Sequence, residues 1–212
     1  MLKKTRVKRK AKQYGGSNGL ILVFDLDETI VNTRKPIQFN PEILKILTVA
    51  SSIRGQGVDA IFLLTNNGDD KYVDQINKGL AKITDYDDDN FFDAVMTANH
   101  MFRTLEDDYP IKHLQDIKIL MSAARKTFTT NEDLMSRTYF FDDQEHVIQH
   151  EMEDNFDGKY ADHYIKITPG FTGKGEEDLT NYEPIDSAIR SVQRGGKRRN
   201  HRTRKVRRRG RY

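Results

Sequence analysis

The stretch LILVFDLDETIV, residues 20–31, decides the fold, because a run of apolar residues ends there in Asp25, Asp27 and Glu28. Such a run is typical of a strand that is buried on both faces of a parallel sheet. On one continuous strand, Asp25 and Asp27 would lie on the same face and repel each other. The pair therefore predicts a positive group or a shared proton beside the carboxylates. A strand that runs into a solvated acidic turn would leave the same residues without a site.

Other short apolar runs indicate further strands, and amphipathic segments between them indicate helices. The predicted strands are residues 20–25, 60–64, 91–98, 138–143 and 163–168, and the predicted helices are residues 41–53, 69–83 and 111–125. Strands that alternate with helices favour an α/β fold, with a mostly parallel five-stranded sheet and helices on both of its faces. Ligands of such sheets lie beyond the carboxyl ends of the strands.

Polar residues stand at several of these predicted strand ends. Thr65 and Asn66 follow the second strand in the sequence LLTNN, and Asp142 and Asp143 end the fourth strand in FFDDQEH. Lys112 comes shortly before that fourth strand. If the strands are neighbours in the sheet, these side chains converge on one crevice with the two aspartates that follow the first strand.

With these residues in this order, the chain resembles the haloacid dehalogenase (HAD) superfamily of phosphatases and phosphotransferases over about residues 19–170. The matching motifs are Asp25-x-Asp27-x-Thr29, then Thr65, then a lysine, and then Asp142 with Asp143. The sequence DLDET is similar to that of phosphatases of the RNA polymerase II C-terminal domain and NLI-interacting-factor type. The sequence FFDD departs from that group and is similar to small magnesium-dependent protein phosphatases. The resemblance implies a Rossmann-like HAD fold and a phosphomonoesterase.

The resemblance also implies the catalytic roles. Asp25 would be the nucleophile that attacks phosphorus and forms an aspartyl-phosphate intermediate. Asp27 would protonate the leaving oxygen and then deprotonate the attacking water. Thr65, Asn66 and Lys112 would bind the phosphoryl group, and Lys112 would also balance the charge of the nucleophile.

Magnesium is the cofactor that the resemblance implies. Asp142 and Asp143 would hold Mg²⁺ together with Asp25 and Asp27, the last through its backbone carbonyl. Mg²⁺ is a hard ion that prefers a few carboxylate oxygens and keeps several waters. An ion at this place would explain why so many acids are crowded together.

The lysine of the third motif is the least specific part of this assignment. Lys112 is preferred because Pro110 would place it in the first turn of a helix, from which its side chain can turn back toward the strand ends. Lys118, Arg125 and Lys126 are alternatives, and a solvated helix lysine at position 112 would have no role in a site.

Two other groups of residues predict no site. His146 and His150 are four positions apart on a possible helix, but no third ligand accompanies them, so each is expected to be a surface histidine or one satisfied by a structural partner. The acidic stretch of residues 85–93 lacks the glycine and the spacing of a calcium loop. We interpret it as an acidic loop.

The spacing of the motifs leaves no room for a large cap domain over the site. About 40 residues separate Asp25 from Thr65, and a flap, one helix and one strand account for them. The stretch from Thr65 to Lys112 holds a helix, a strand and a loop. An uncapped site admits bulky substrates, and capless members of the superfamily often act on proteins or nucleic-acid ends. The expected substrate is therefore a phosphorylated macromolecule, either a phosphoprotein or a nucleic-acid terminus.

Composition limits the class of protein. A chain of 212 residues fits one domain with tails, predicted as residues 19–185. The sequence contains no cysteine, which excludes disulfides, cysteine-bound zinc and a thiol nucleophile. It shows neither an apolar segment long enough to cross a bilayer nor a secretory signal. We expect a soluble intracellular protein of the cytoplasm or nucleus.

Both ends of the chain are strongly basic, while its body is acidic. Residues 1–12 and 194–212 hold 18 of the 35 lysines and arginines and none of the 32 acids, so the body carries a net charge of −15. Residues 1–18 and 186–212 have too few apolar residues to offset the entropy of ordering, and are predicted to be disordered tails. Nonspecific contact with nucleic acid is expected of them, although they could instead only improve solubility or fold back on the acidic body. The C-terminal tail also resembles the basic ends of many proteins of large DNA viruses, which would place the protein in an infected cell.

Two other functions compete with a phosphatase. The first is a non-catalytic module that keeps the HAD fold and binds polyanions through its tails. The second is a receiver-type phosphoacceptor, which also uses aspartates, a threonine and a lysine on a parallel sheet. The retained pair Asp25 and Asp27 argues against the first. The order of the motifs argues against the second, because a receiver places its acidic pair before the phosphorylated aspartate.

Overall fold

The computed structural model describes residues 19–33, 35–175 and 177–194. Its central feature is a five-stranded sheet. The strands of this sheet are β1 (Leu20–Phe24), β2 (Val58–Leu64), β3 (Ala94–Met96), β6 (Thr138–Asp142) and β7 (Tyr164–Lys166), and a separate hairpin is formed by β4 (Leu105–Glu106) and β5 (Tyr109–Pro110). The sheet order is β3-β2-β1-β6-β7, and every neighbouring pair is parallel. The prediction of a five-stranded parallel sheet is confirmed.

Over the described residues, five α-helices lie between strands along the chain and a sixth follows the last strand. They are α1 (Pro41–Ser52), α2 (Asp70–Ile83), α3 (Leu114–Ala123), α4 (Asn131–Arg137), α5 (Val147–Asp154) and α6 over residues 183–194. Capping residues mark the start of α1 and of α2. Asn40 caps α1 by accepting from the backbone N–H groups of Glu42 and Ile43, with Pro41 in the first turn, and Asp69 caps α2 in the same way.

Helices cover both faces of the sheet, as the uninterrupted apolar run of β1 requires. Successive side chains of a strand point to opposite faces. Leu22 and Phe24 pack in one core with apolar residues of α1, α2 and α6. Ile21 and Val23 pack in a second core with residues of α3, α4 and α5. β1 is buried at every position because it lies between these two layers.

The strand order fixes where a ligand can bind. From β1 the chain proceeds outward to β2 and β3, and then returns to β6 on the other side of β1. Such a change of direction leaves a crevice at the carboxyl ends of the strands beside it. Asp25 follows β1, Thr65 follows β2 and Asp142 ends β6, so all three stand at this edge.

The C-terminal helix extends the folded part beyond the predicted boundary at residue 185. Residues 186–194, which we assigned to the basic tail, form most of α6. Ile185 and Ile189 are buried in the same core as α1, and Val192 packs against that core. An apolar spacing of four and three residues is that of one helix face. The remaining tail predictions, for residues 1–18 and 195–212, fall outside the described residues.

Besides the segment that follows β7, only small insertions accompany the strands at the carboxyl edge. After Asp25, isolated bridges pair Asp27 with Val31 and Val31 with Phe39, forming a short flap. Between β3 and α3, the unpredicted β4–β5 hairpin turns at Asp107 and Asp108, which have φ values of 49° and 65°. Aspartate tolerates this left-handed conformation in tight hairpin turns. None of the helices over the described residues has the length and apolar character needed to cross a membrane.

Candidate active site

Neighbouring strands hold Asp25 and Asp142 side by side. Phe24 is paired with Phe141, and the Asp25 backbone N–H donates to the Phe141 carbonyl oxygen at 2.8 Å, one residue beyond the end of β1. Asp142 is the last residue of β6, and its carbonyl oxygen accepts from Ile167 at 2.8 Å. Both side chains are buried. The backbone ladder therefore sets the position of the two carboxylates.

Lys112 is a positive group beside Asp25, although it bridges Asp25 to Asp142 and not to Asp27, the partner that the sequence predicted. Its Nζ lies 2.7 Å from Asp25 Oδ1 and also donates to Asp142 Oδ2, and the residue is 1% exposed. Lys112 lies two residues before α3, not in its first turn as predicted, because the helix begins at Leu114 after His113. An ammonium group buried this deeply is tolerated because two carboxylates compensate it.

The other three cations considered for the third motif are placed elsewhere. Lys118 lies within α3, and Arg125 and Lys126 follow the end of that helix. Among these four residues, only Lys112 contacts the aspartates at the strand ends.

Three carboxylates meet beside this lysine. One side-chain oxygen from each of Asp25, Asp142 and Asp143 lies within 4.8 Å of the others. The side chain of Asp27 is outside this group, because its Oδ2 accepts from Asn67 Nδ2 at 2.8 Å. β1 has already ended at Phe24, so the same-face rule for strand residues does not extend to Asp27. A metal ligand from Asp27 at this group would therefore come from its backbone carbonyl, as the resemblance implies.

The three carboxylates differ in their readiness to ionise. Burial raises the pKa of Asp25 to about 6, although Lys112 acts in the opposite direction. Burial, and then the neighbouring charges of Asp142 and Asp25, raises the pKa of Asp143 to about 7. Burial acts the same way on Asp142, but Lys112 and His146 together hold the pKa of Asp142 below its ordinary value. Without a bound metal ion, Asp142 therefore loses its proton readily, whereas Asp25 and Asp143 hold theirs more tightly than an ordinary aspartate.

These pKa values predict how the stability of the metal-free protein depends on pH. Asp25 and Asp143 bind protons more tightly when folded, so their contribution is complete below about pH 4 and is lost as the pH rises through about 6 and about 7. We expect the free energy of unfolding in urea, measured with chelator, to decrease between about pH 5 and pH 8 more steeply in wild type than in Asp143→Asn. Asp88→Asn, in an exposed loop, is the matched control and should keep the wild-type slope. Equal slopes in wild type and Asp143→Asn would contradict the prediction.

Thr65 and Asn66 stand beside the aspartates but already have partners. Thr65 is buried, and its hydroxyl oxygen accepts from the Asn67 N–H at 3.0 Å. Asn66 is exposed, and its Oδ1 accepts from the guanidinium of Arg103. The Thr65 hydroxyl keeps its own proton to donate, and the Asn66 amide keeps its N–H groups. Both can therefore still bind an oxyanion.

A buried ion pair that the sequence did not indicate links these two parts of the site. Arg103 Nη1 lies 3.2 Å from Asp116 Oδ2, and both side chains are almost fully buried. Asp116 Oδ2 also accepts from the His113 N–H at 2.9 Å. The pair thus connects Asn66 to the segment that carries Lys112. A local signal existed only for Asp116, at the third position of a helix where an acid can complete a capping box.

His146 has a partner in the site. It precedes α5, and its Nε2 lies 3.4 Å from Asp142 Oδ2. His150 is exposed near Glu153, as a surface histidine would be. The two do not form a pair on one helix, because the helix begins only at Val147.

A glycine closes one side of the carboxylate group. A Cβ atom at Gly170 would lie 2.9 Å from Glu28 Oε2 and 3.2 Å from Asp143 Cβ. The next residue, Phe171, donates its N–H to the Glu28 carbonyl oxygen. The segment after β7 can therefore approach Asp143 closely and bury part of its side chain.

The assembled residues form an anionic crevice with one buried cation, at the edge of the sheet where ligands bind. Three converging carboxylates are a hard oxygen donor set, the kind that Mg²⁺ prefers. Comparison of the chain with protein-family models, with curated proteins and with solved structures finds no match. The case for a function depends on the side chains of this crevice.

Proposed function

We propose that this chain is a Mg²⁺-dependent phosphomonoesterase of the HAD type that transfers the phosphoryl group first to Asp25 and then to water. One observation carries the proposal: Asp25, Asp142 and Asp143 lie within 4.8 Å of one another, with buried Lys112 bridging the first two. A solvated acidic turn, the competing interpretation, has no need of a buried lysine.

The residues present fit a magnesium ion. Asp142, Asp143 and Asp25 offer only oxygen donors. Burial, and then the charges of Asp142 and Asp25, raise the pKa of Asp143 to about 7, and a bound metal ion would favour its ionised form. Asp142 and Asp143 would hold the ion together with Asp25. When bound, Mg²⁺ would neutralise charge on the phosphoryl group during transfer.

Asp25 is suited to attack phosphorus. A carboxylate oxygen of Asp25 would form the new P–O bond while the bond to the leaving oxygen breaks. Lys112 fixes the carboxylates of Asp25 and Asp142 relative to each other, because its Nζ donates to both. A fixed ammonium also counters the charge of the entering phosphate.

Asp27 is suited to move protons. It is only partly buried, and Asn67 orients its carboxylate through a hydrogen bond of 2.8 Å. In the first half of the reaction Asp27 would give a proton to the leaving oxygen, and in the second it would take one from the water that attacks the acyl phosphate. Thr65 and Asn66 would donate to the phosphoryl oxygens.

The expected substrate is a phosphate group on a macromolecule. Over the described residues, the edge beside the crevice carries the short flap after Asp25, the β4–β5 hairpin and the segment after β7 that approaches Asp143. None of these is a folded domain that could enclose a small molecule. A phosphorylated side chain or nucleic-acid end could reach the crevice while the rest of its polymer stays outside.

Removal of the metal should abolish activity. We expect the purified protein to hydrolyse a generic aryl phosphate with Mg²⁺, and to lose at least ~100-fold of that rate in EDTA, because the crowded carboxylates would then repel the substrate. Excess Mg²⁺ added afterwards should restore the rate, and this recovery is the control for unfolding by chelator. Full turnover in EDTA, or no turnover with Mg²⁺, would contradict the proposal. The second result, with polyanion binding retained, would favour the non-catalytic module.

A further inference from the structure

Large apolar side chains are exposed in a short segment next to the crevice. Met101, Phe102 and Tyr109 are 84%, 64% and 74% exposed, and Leu105 is 54% exposed. Single exposed apolar residues are ordinary on protein surfaces. Four within nine consecutive positions form a concentration of the kind that marks an interaction surface.

Both ends of this segment are fixed to the site. Phe102 precedes Arg103, whose guanidinium donates to Asn66 and is paired with Asp116. Tyr109 is three residues before Lys112, so their Cα atoms are at most roughly 11 Å apart. The exposed aromatic side chains therefore stand at the margin of the crevice.

A groove lies beside this segment, because His100 lines its end and the rings of His100 and Phe102 have centroids 5.9 Å apart. It has a volume of about 370 Å³ and lies between α2 and the chain that follows β3. Its lining includes Val73 and Val95, which are apolar, and Asp70 and Asp74, which are exposed acids. Its end at His100 is joined to the loop after Thr65, because neighbouring Asn99 donates to the Gly68 carbonyl oxygen at 2.6 Å.

Asp70 and Asp74 give the lining of this groove a negative charge, although the exposed Lys71 stands next to Asp70 on α2. Exposed acids occur on α2, at Asp70 and Asp74, and on the hairpin, at residues 106–108. Asp74 is partly compensated by Lys78 at 2.5 Å, an exposed pair of small effect. The nearby cations Arg103 and Lys112 are buried against carboxylates and are not available to a ligand outside the crevice.

We propose that the groove beside α2, together with the exposed side chains of residues 101–109, is the docking surface for a phosphoprotein segment with apolar and basic residues around its phosphorylated residue. This inference rests on the proposed function, whose substrate class it narrows. The apolar side chains would bury against Phe102, Tyr109 and the partly exposed Val95. The basic ones would lie near the acids of α2 and the hairpin.

A nucleic-acid end suits this surface poorly. An oligonucleotide carries a phosphate at every step, so the phosphates next to the reacting one would face Asp70, Asp74 and the acids of the hairpin. A protein segment carries its single phosphate into the crevice and can present cations outside it.

A binding experiment tests the docking surface without depending on turnover. The full chain carrying Asp25→Asn is titrated, with Mg²⁺, into a fluorescent peptide whose phosphoserine is flanked by leucine and arginine. We expect Phe102→Ser and Tyr109→Ser each to weaken binding about tenfold. Ile83→Ser is the matched control, since Ile83 is 52% exposed at the far end of α2, and it should bind as before. A peptide with glutamate in place of arginine should also bind about tenfold more weakly.

Turnover separates failure of this inference from failure of the proposed function. With the Asp25 nucleophile intact, the same serine variants are assayed for kcat/KM on the phosphopeptide and on a small aryl phosphate, which checks the crevice itself. The docking surface is overturned if wild type hydrolyses the aryl phosphate while Phe102→Ser and Tyr109→Ser leave phosphopeptide binding and kcat/KM unchanged. The proposed phosphatase activity would then still stand. No aryl phosphate hydrolysis by wild type overturns the phosphatase, and the inference with it.

Other occupants of the groove would give distinct results. The choice of a protein substrate would be overturned if a 5′-phosphorylated oligonucleotide had a higher kcat/KM than the peptide and Phe102→Ser lowered that kcat/KM. Displacement of the phosphopeptide by an unphosphorylated peptide of residues 195–212, weakened by the same variant, would assign the groove to the chain's own basic end. A molar mass above that of the monomer in light scattering, lost in Tyr109→Ser, would assign the groove to a second copy of the chain.

Discussion

Asp25→Asn is expected to abolish phosphatase activity, with a fall in kcat of roughly 10⁴-fold or more. The substitution removes the atom that would bond to phosphorus, and the amide is a very poor nucleophile. Asp142 cannot replace it, because Lys112 and His146 contact its Oδ2 and the Gln144 N–H donates to its Oδ1. The measurement is the steady-state rate with an aryl phosphate at saturating Mg²⁺.

Asp27→Asn is the matched comparison, because it makes the same change of carboxylate to amide two residues away. It leaves the nucleophile in place and removes the proton donor and acceptor. The rate should collapse for an alkyl phosphate and fall less for an activated aryl phosphate, whose leaving oxygen needs little protonation. If Asp25→Asn kept activity, or if both variants showed the same dependence on the leaving group, the two roles would be wrongly assigned.

Lys112→Met is expected to have the second-largest effect, on both activity and stability. The loss of the ammonium leaves Asp25 and Asp142 buried without their shared cation. Breaking a buried ion pair from one side typically costs about 3–5 kcal/mol in the free energy of unfolding. Loss of a preorganised charge at the reacting group lowers kcat by roughly 10²–10³-fold.

Urea unfolding at neutral pH in chelator, together with kinetics in Mg²⁺, measures both effects. Lys118→Met, in the helix that follows, is the control and should change the free energy of unfolding and kcat only a little. The double variant Lys112→Met with Asp25→Asn should recover part of the stability but none of the activity, because the surplus negative charge is removed along with the nucleophile. A stable, active Lys112→Met protein would show that the buried lysine is dispensable.

The sheet was predictable from sequence because its strands carry their own signals. The run before Asp25 is apolar at every position, which only a strand between two helical layers requires. The convergence of Asp25, Thr65 and Asp142 then followed from the rule that parallel strands present their carboxyl ends at one edge. The bounds were less accurate, as the start of α3 after Lys112 shows. The boundary set at residue 185 ignored the apolar positions Ile189 and Val192, which continue the buried face of α6.

Long-range polar contacts could not be read from the sequence in the same way. Arg103 and Asp116 are thirteen residues apart, and neither belongs to a motif; their pairing depends on how the chain after β3 turns back toward α3. Strands of two residues, such as β4 and β5, are too short for a pattern of alternation to appear. The turn of Asp27 toward Asn67 depended on where β1 stops, which a motif does not specify.

The most direct test of the central claim is intact-mass spectrometry of acid-quenched protein during hydrolysis of an activated aryl phosphate. We predict a single phosphoryl adduct with Mg²⁺, located on Asp25 by fragmentation, and more abundant in Asp27→Asn than in wild type because the acyl phosphate is hydrolysed more slowly. The adduct should be absent from Asp25→Asn. Active protein that forms no adduct in either wild type or Asp27→Asn, or an adduct on another residue, would contradict the assignment of Asp25 as the nucleophile.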